Sequence, residues 1–258
     1  MKRVLSDMYF LGRKCIFCNK YGLYRLNDKR VKCKHCNKKY SLSKLKRELQ
    51  ILYYFYLEIS ARRAANELNI NYKTVQSRFM SFRRCIARYC LEEGKQLRGE
   101  IEIDESYFGG KRKGNRGRGA KNKAIVFGIL ERKGKVHTVI VQDVSADTLM
   151  NEIKNKTKKG SVFYTDGWKS YASLQQYGKH NIIDHDKELV NNHNHINGIE
   201  GFWSFAKERF HKYHGISKTN YPLYIKEMEF RFNNRNNNVY KLLIDICIVR
   251  RQFSPESP

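Results

Sequence analysis

The hydrophobic rhythm of the chain changes once, near Gly94. Before it, Leu45, Leu49, Leu52 and Tyr53 recur at helical spacing and predict a helix from Lys44 to Tyr56. Ser60 then stands where it can cap a short helix with Ala64, Ala65 and Leu68 facing inward. The residues "NIN" turn the chain, and Asn71 opens a longer helix with Val75, Phe79, Phe82 and Ile86 on its apolar side. After Gly94 the period becomes two. Strands are predicted in "EIEIDESYF", "KAIVFGILER", "KVHTVIVQDV" and "GSVFYTDGW". A helix capped by Ser145 fills "SADTLMNEIKNKT", a second helix "KSYASLQQY", and "HNIIDH" reads as a fifth strand. The last helix opens at "NGIEGFWSFAKERFHKY", with Ile199, Phe202, Trp203, Ala206 and Phe210 toward the core.

Two helices joined by three or four residues form the helix-turn-helix pattern, whose second helix enters the major groove of DNA. Its exposed face would present Tyr72, Lys73, Gln76, Ser77 and Arg83; an ordinary helical pair packed for structure is the alternative. The later order, three strands, helix, strand, helix, strand, helix, predicts an α/β fold with a mixed sheet, as in a ribonuclease H-like core.

Charge narrows the partner. Among 258 residues, 51 Lys+Arg stand against 25 Asp+Glu, giving a net charge of +26, which favours a polyanion. No run of about 18 apolar residues and no signal-peptide pattern appears, so double-stranded DNA is preferred over a membrane, in an intracellular setting. With 41% hydrophobic residues the chain can bury real cores. An odd count of seven cysteines points to a reducing compartment.

Four of those cysteines, Cys15, Cys18, Cys33 and Cys36, form C-x2-C pairs separated by fourteen residues. Two tight turns each offer two thiolates, and the hairpin between them brings four sulfurs around one structural Zn2+. Unligated thiols or two disulfides are the alternatives, and His35 can replace one ligand. All four positions are filled by sulfur, so none is open for catalysis. Lys32, Lys34, Lys38 and Lys39 would bring the ribbon near a phosphate backbone.

Chemistry is expected from carboxylates at element ends: Asp104 on the first long strand, Asp166 closing "FYTD", and Glu200 at the start of the last helix. If the first and fourth strands are neighbours, the two aspartates converge and the helix can lay Glu200 across them. Such a cluster needs a cation, and Mg2+ (or Mn2+) takes hard oxygen ligands and supports in-line phosphoryl transfer. Beside it, Lys111, Arg112, Lys113, Arg116, Arg118, Lys121 and Lys123 are interleaved with glycines and no acid, a loop suited to a DNA backbone or a solvated hairpin.

The motifs "IDESYFGGKRKGNRGRG", "VFYTDGWKSY", "HINGIEGFWSFAK" and "EFRFNNR", in this order behind the ribbon and helix pair, resemble the DDE transposases of the Merlin superfamily and their bacterial insertion-sequence relatives. The resemblance runs from about Cys15 to Arg235. It implies a ribonuclease H-like catalytic domain that cuts transposon ends and joins them to a target, acting as a homo-oligomer on DNA. It also implies Asp104, Asp166 and Glu200 as the acidic triad and Lys207 as the basic residue that follows. Some insertion-sequence relatives use Asn or His in third place, so His195 and Asn197 stay open as alternatives to Glu200. The expected organisation is a zinc ribbon over 1–43, a helix-turn-helix region over 44–95, the catalytic domain over 96–240 and a tail over 241–258. Competing readings are an inactive DNA-binding regulator derived from a transposon and a ribonuclease H-like nuclease that cuts without joining.

Overall fold

The computed structural model describes residues 13–94, 96–109, 123–166, 169–183, 195–213 and 215–250. Two compact units are formed, Met1–Ile86 with Asn237–Pro258, and Ala87–Asn236. Lys111, Arg112, Lys113, Arg116 and Arg118 lie outside the described residues.

The first unit opens with a three-stranded antiparallel ribbon, β1 (Leu23–Arg25), β2 (Val31–Cys33) and β3 (Lys39–Tyr40). Helix α1 (Leu42–Tyr56) follows, and Ser41 accepts from the Lys44 N–H at 3.3 Å to cap it. In α2 (Ala61–Leu68) the Ser60 hydroxyl accepts from the Arg63 N–H, and Asn69 leaves the helix in the left-handed region at φ 50°. Asn71 Oδ1 accepts from the Lys73 N–H at 2.8 Å where α3 (Tyr72–Glu92) begins. Phe55 meets Phe79 and Phe82 edge-on, with Ala64 and Val75 buried as their spacing predicts.

Two expectations need correction. Arg83, expected on the exposed face of α3, is only 4% exposed, with its guanidinium 5.2 Å from the centre of the Phe55 ring. One turn beyond Phe79, it flanks the apolar stripe, so its stem is buried and its charge rests on an aromatic face. Tyr72, Lys73, Gln76 and Ser77 are exposed as expected. The expected boundary between catalytic domain and tail, at 240/241, falls inside α7 (Val239–Ile244), which with a π-helical turn (Asp245–Val249) buries Tyr240, Leu243, Ile246 and Cys247. Tyr240 packs against Tyr53 and Tyr56 of α1.

The second unit is built on a five-stranded mixed sheet: β4 (Glu100–Phe108), β5 (Ala124–Glu131), β6 (Val136–Val141), β7 (Val162–Asp166) and β8 (Lys179–Ile183), in spatial order β6-β5-β4-β7-β8. The first three are antiparallel; β7 runs parallel to β4, and β8 to β7. One face is covered by α4 (Ala146–Lys156) and a 3-10 helix (Lys169–Gln176), around Ile103, Phe127, Leu149 and Phe163. The other carries α5 (Asn197–His211) and α6 (Tyr221–Asn233), around Val126, Tyr164, Phe202 and Met228. "KSYASLQQY", expected as a helix, forms this 3-10 helix. Its buried Tyr171 and Leu174 are three residues apart, which matches three residues per turn.

The polar residues of "EFRFNNR" close the sheet edge. The Asn233 side chain accepts from the Val136 N–H and donates to the Val136 carbonyl, both at 2.8 Å, while Glu229 Oε2 accepts from the Thr138 N–H and hydroxyl. One helical turn on α6 thus spans two residues of β6 and satisfies an edge that would otherwise pair with another strand.

Candidate active site and metal centre

Parallel pairing of β4 with β7 sets the site. Glu100 lies opposite Val162 and Glu102 opposite Tyr164, and the same register continued along both strands brings Asp104 beside Asp166. Even-numbered residues of β4 face α5, so both aspartates point to the helix that carries Glu200 in its first turn. Burial pushes the Asp104 carboxyl up to about 6, and the charges of Asp166 and Glu200 add to the rise. N–H groups of Glu105 and Trp203 oppose it, the Trp203 indole donating to Asp104 Oδ2 at 2.9 Å.

Trp203 reaches Asp104 because the strand beside it makes room. Gly128 pairs with Asp104 across β4 and β5, and a Cβ there would lie 2.6 Å from the indole. A cavity of about 240 Å3 opens at the aspartates, lined also by Tyr107, Lys123 and Lys207. Glu200 is exposed outside that lining, and Lys207 follows it by nearly two turns on the same side of α5.

Glu102 fixes the helix in place. Its carboxylate is 1% exposed, accepts from the Ile199 N–H at 2.8 Å at the start of α5, and pairs with Arg132 Nε at 2.9 Å. A carboxylate at a helix N-terminus satisfies an orphan donor and opposes the positive end of the helix dipole. Gly198 allows this approach, since a Cβ there would lie 2.8 Å from Glu102 Oε2. Arg132 also donates to the His195 carbonyl and stacks over the Tyr164 ring, with its charge 3.7 Å from the centroid. The alternation in "EIEID" puts Glu102 and Asp104 on one face, but its buried partner, Arg132, lies one strand away and carries no local signal.

Of the alternatives for the third ligand, His195 Nδ1 lies 3.7 Å from Glu102 in a separate cavity formed with Arg132 and Gly198. Asn197 is exposed at the first residue of α5.

A model of the ISXO2-like transposase domain matches residues 96–233, more than half of the chain and all of the sheet, α5 and α6. The chain belongs to the ISXO2-like transposase family. This transposase is 45% identical over 103 residues to an uncharacterised transposase-like protein of Haemophilus influenzae, a match covering 40% of this chain and 84% of that one. It is 26% identical to an uncharacterised protein in the transposable element ISH50 of Halobacterium salinarum, over 89% of this chain and 87% of the other. Among solved structures, it is similar to the Mos1 transposase paired-end complex with left transposon end, with 13% identity, 78% of each chain covered and a TM-score of 0.26.

In the transposase's ribbon, Cys15, Cys18, Cys33 and Cys36 bring their sulfurs within 4.8 Å of one another, the one such group among the described residues. Cys15 lies 3.6 Å from Cys36 and Cys18 3.6 Å from Cys33. Backbone N–H groups of Cys36 and then His35 lower the Cys33 thiol, whereas burial raises that of Cys36. His35 contributes its backbone to Cys33, and the four sulfurs are a donor set that fits Zn2+. No helix among the described residues is long and apolar enough to cross a membrane.

Proposed function

We propose that this transposase is a DDE enzyme with a ribonuclease H-like catalytic domain, cutting element ends and joining them to target DNA. The observation that carries the reading is the cavity shared by Asp104 and Asp166, which sit on the adjacent parallel strands β4 and β7, on the sheet face that carries the helix bearing Glu200. An aspartate raised to about 6 beside two further acids is a hard-oxygen donor set that fits Mg2+ or Mn2+. When bound there, divalent ions would activate the attacking oxygen and stabilise the leaving one.

The chain's own residues supply orientation and charge. Asp104, Asp166 and Glu200 would hold such an ion. Trp203 holds one oxygen of Asp104, and Glu102 with Arg132 fixes the start of α5 so that Glu200 keeps its position. Lys207, exposed beside the aspartates, binds a phosphate of the reacting strand. End recognition falls to the ribbon with its structural Zn2+ and to α2 and α3 as a helix-turn-helix, through Tyr72, Lys73 and Gln76. Lys111, Arg112, Lys113, Arg116 and Arg118 hold duplex backbone without regard to sequence. Net charge of +26 supports such a partner, and the enzyme works as a homo-oligomer on DNA.

The test is a donor plasmid carrying the element's terminal repeats, incubated with the protein, Mg2+ and a supercoiled target. Cleaved ends and joined products are expected. Cleavage without joining would favour a nuclease, and binding without cleavage a regulator.

A further inference from the structure

We propose that an aromatic cavity beside the carboxylates holds one unstacked base of the DNA strand whose phosphate lies at Asp104 and Asp166; this deepens the function proposed above and rests on it. The cavity, about 620 Å3, falls within the range of small-ligand pockets, roughly 300–1,000 Å3. Tyr107, Phe210 and Tyr213, all half-buried, form its walls, with exposed Lys207 and His211 at its rim. Tyr107 and Lys207 also line the carboxylate cavity, so the two cavities share a wall and adjoin. Successive phosphates of a strand are joined by a sugar bearing one base, and a strand threaded past the aspartates delivers a base to the adjoining recess.

The rings are fixed before any ligand arrives. Phe210 packs edge-on against Phe108 at 5.2 Å and Tyr221 at 5.3 Å, and Tyr213 against Tyr224 at 5.0 Å. Aromatic walls accept any base, because every base has a π-face. An apolar peptide side chain would use the rings but not the cations; a nucleotide uses both, its base on the tyrosines and its phosphates on Lys207 and His211.

The test uses the full chain and a short random-sequence duplex with one unpaired 5-iodouracil, compared with the same duplex fully paired. The bulged duplex is expected to bind about ten-fold tighter. Irradiation should crosslink the iodouracil to Tyr107, Phe210 or Tyr213. Tyr213→Ala should lose the preference, and Tyr213→Phe, which keeps the ring, should retain it. Equal affinity for both duplexes, or crosslinks confined to other residues, overturns the proposal. The crosslink needs no variant, so misfolding of Tyr213→Ala does not remove the test. A Tyr213→Ala chain that keeps the preference but changes oligomeric size assigns the cavity to a second copy of the chain and also overturns it. Metal-dependent cleavage is measured in parallel on the wild-type chain. Cleavage without the preference refutes the base pocket alone, whereas preference without cleavage supports the pocket and refutes the catalytic reading.

Discussion

Glu102→Gln separates holding the catalytic helix from merely filling the core. The amide is isosteric and can still accept the Ile199 N–H, but it no longer neutralises Arg132. Breaking a buried pair costs about 3–5 kcal/mol where the remaining charge is fully buried. Arg132 keeps part of its compensation from Glu100, at 3.3 Å and with a side chain 45% exposed, so about 2–3 kcal/mol is expected. For a unit of this size that lowers the melting temperature by about 4–12 °C. Because Glu102 and Asp104 lie two residues apart and α5 carries Glu200 one residue after Ile199, relaxation at the helix start should displace Glu200. The cleavage rate should fall at saturating DNA while the DNA affinity is kept. Calorimetric melting and single-turnover cleavage, both below the variant's melting point, provide the measurements. A variant with wild-type melting and wild-type rate would refute the buried pair as a device that positions α5.

Cys15→Ser and Cys36→Ser should each reduce bound zinc from about one ion per chain to none and unfold the ribbon, while the sheet unit keeps its melting transition; elemental analysis and calorimetry check this. His137, on β6, has its pKa lowered to about 3 by burial and by Lys226 and Lys156. The unfolded chain therefore binds the extra proton first, so stability is full above about pH 6.5 and falls as the pH drops toward 3, by about 2 kcal/mol at pH 5, readable in urea titrations. Neutralising Arg116 and Arg118 should weaken binding to all duplexes and flatten the salt slope by about one unit for each phosphate left without its cation, whereas Gln76→Ala should reduce discrimination for the element end. Equal loss of specificity from both changes would contradict this division.

Local signals carried most of the fold. Ser60, Asn71 and Ser145 could be identified as caps because a cap lies within a few residues of the N–H groups it satisfies. The cysteine spacing announced a four-sulfur cluster for the same reason. Strand alternation gave β4 its two faces, and the neighbouring position of β7 then follows from the sheet order. What the sequence hid depends on packing across the fold. Arg83 is buried because an aromatic ring from α1 lies against it. The role of Glu102 requires an arginine thirty residues away and a glycine on another element. The stretch Val239–Val249 is apolar nearly throughout and shows no helical alternation, and the α1 tyrosines that Tyr240 meets lie far away in the sequence, so its place in the first unit was not legible locally.

The central claim is that three carboxylates perform the chemistry. Its most direct measurement compares Asp104→Asn, Asp166→Asn and Glu200→Gln with the wild-type chain for Mg2+- or Mn2+-dependent cleavage of the element end, with end binding titrated on the same preparations. Each variant should lose cleavage and keep end binding, because a metal ligand has been removed and the DNA-binding surfaces are untouched. Wild-type cleavage by Glu200→Gln, with His195→Ala or Asn197→Ala inactive, would contradict the third assignment; wild-type cleavage by either aspartate variant would contradict the site itself.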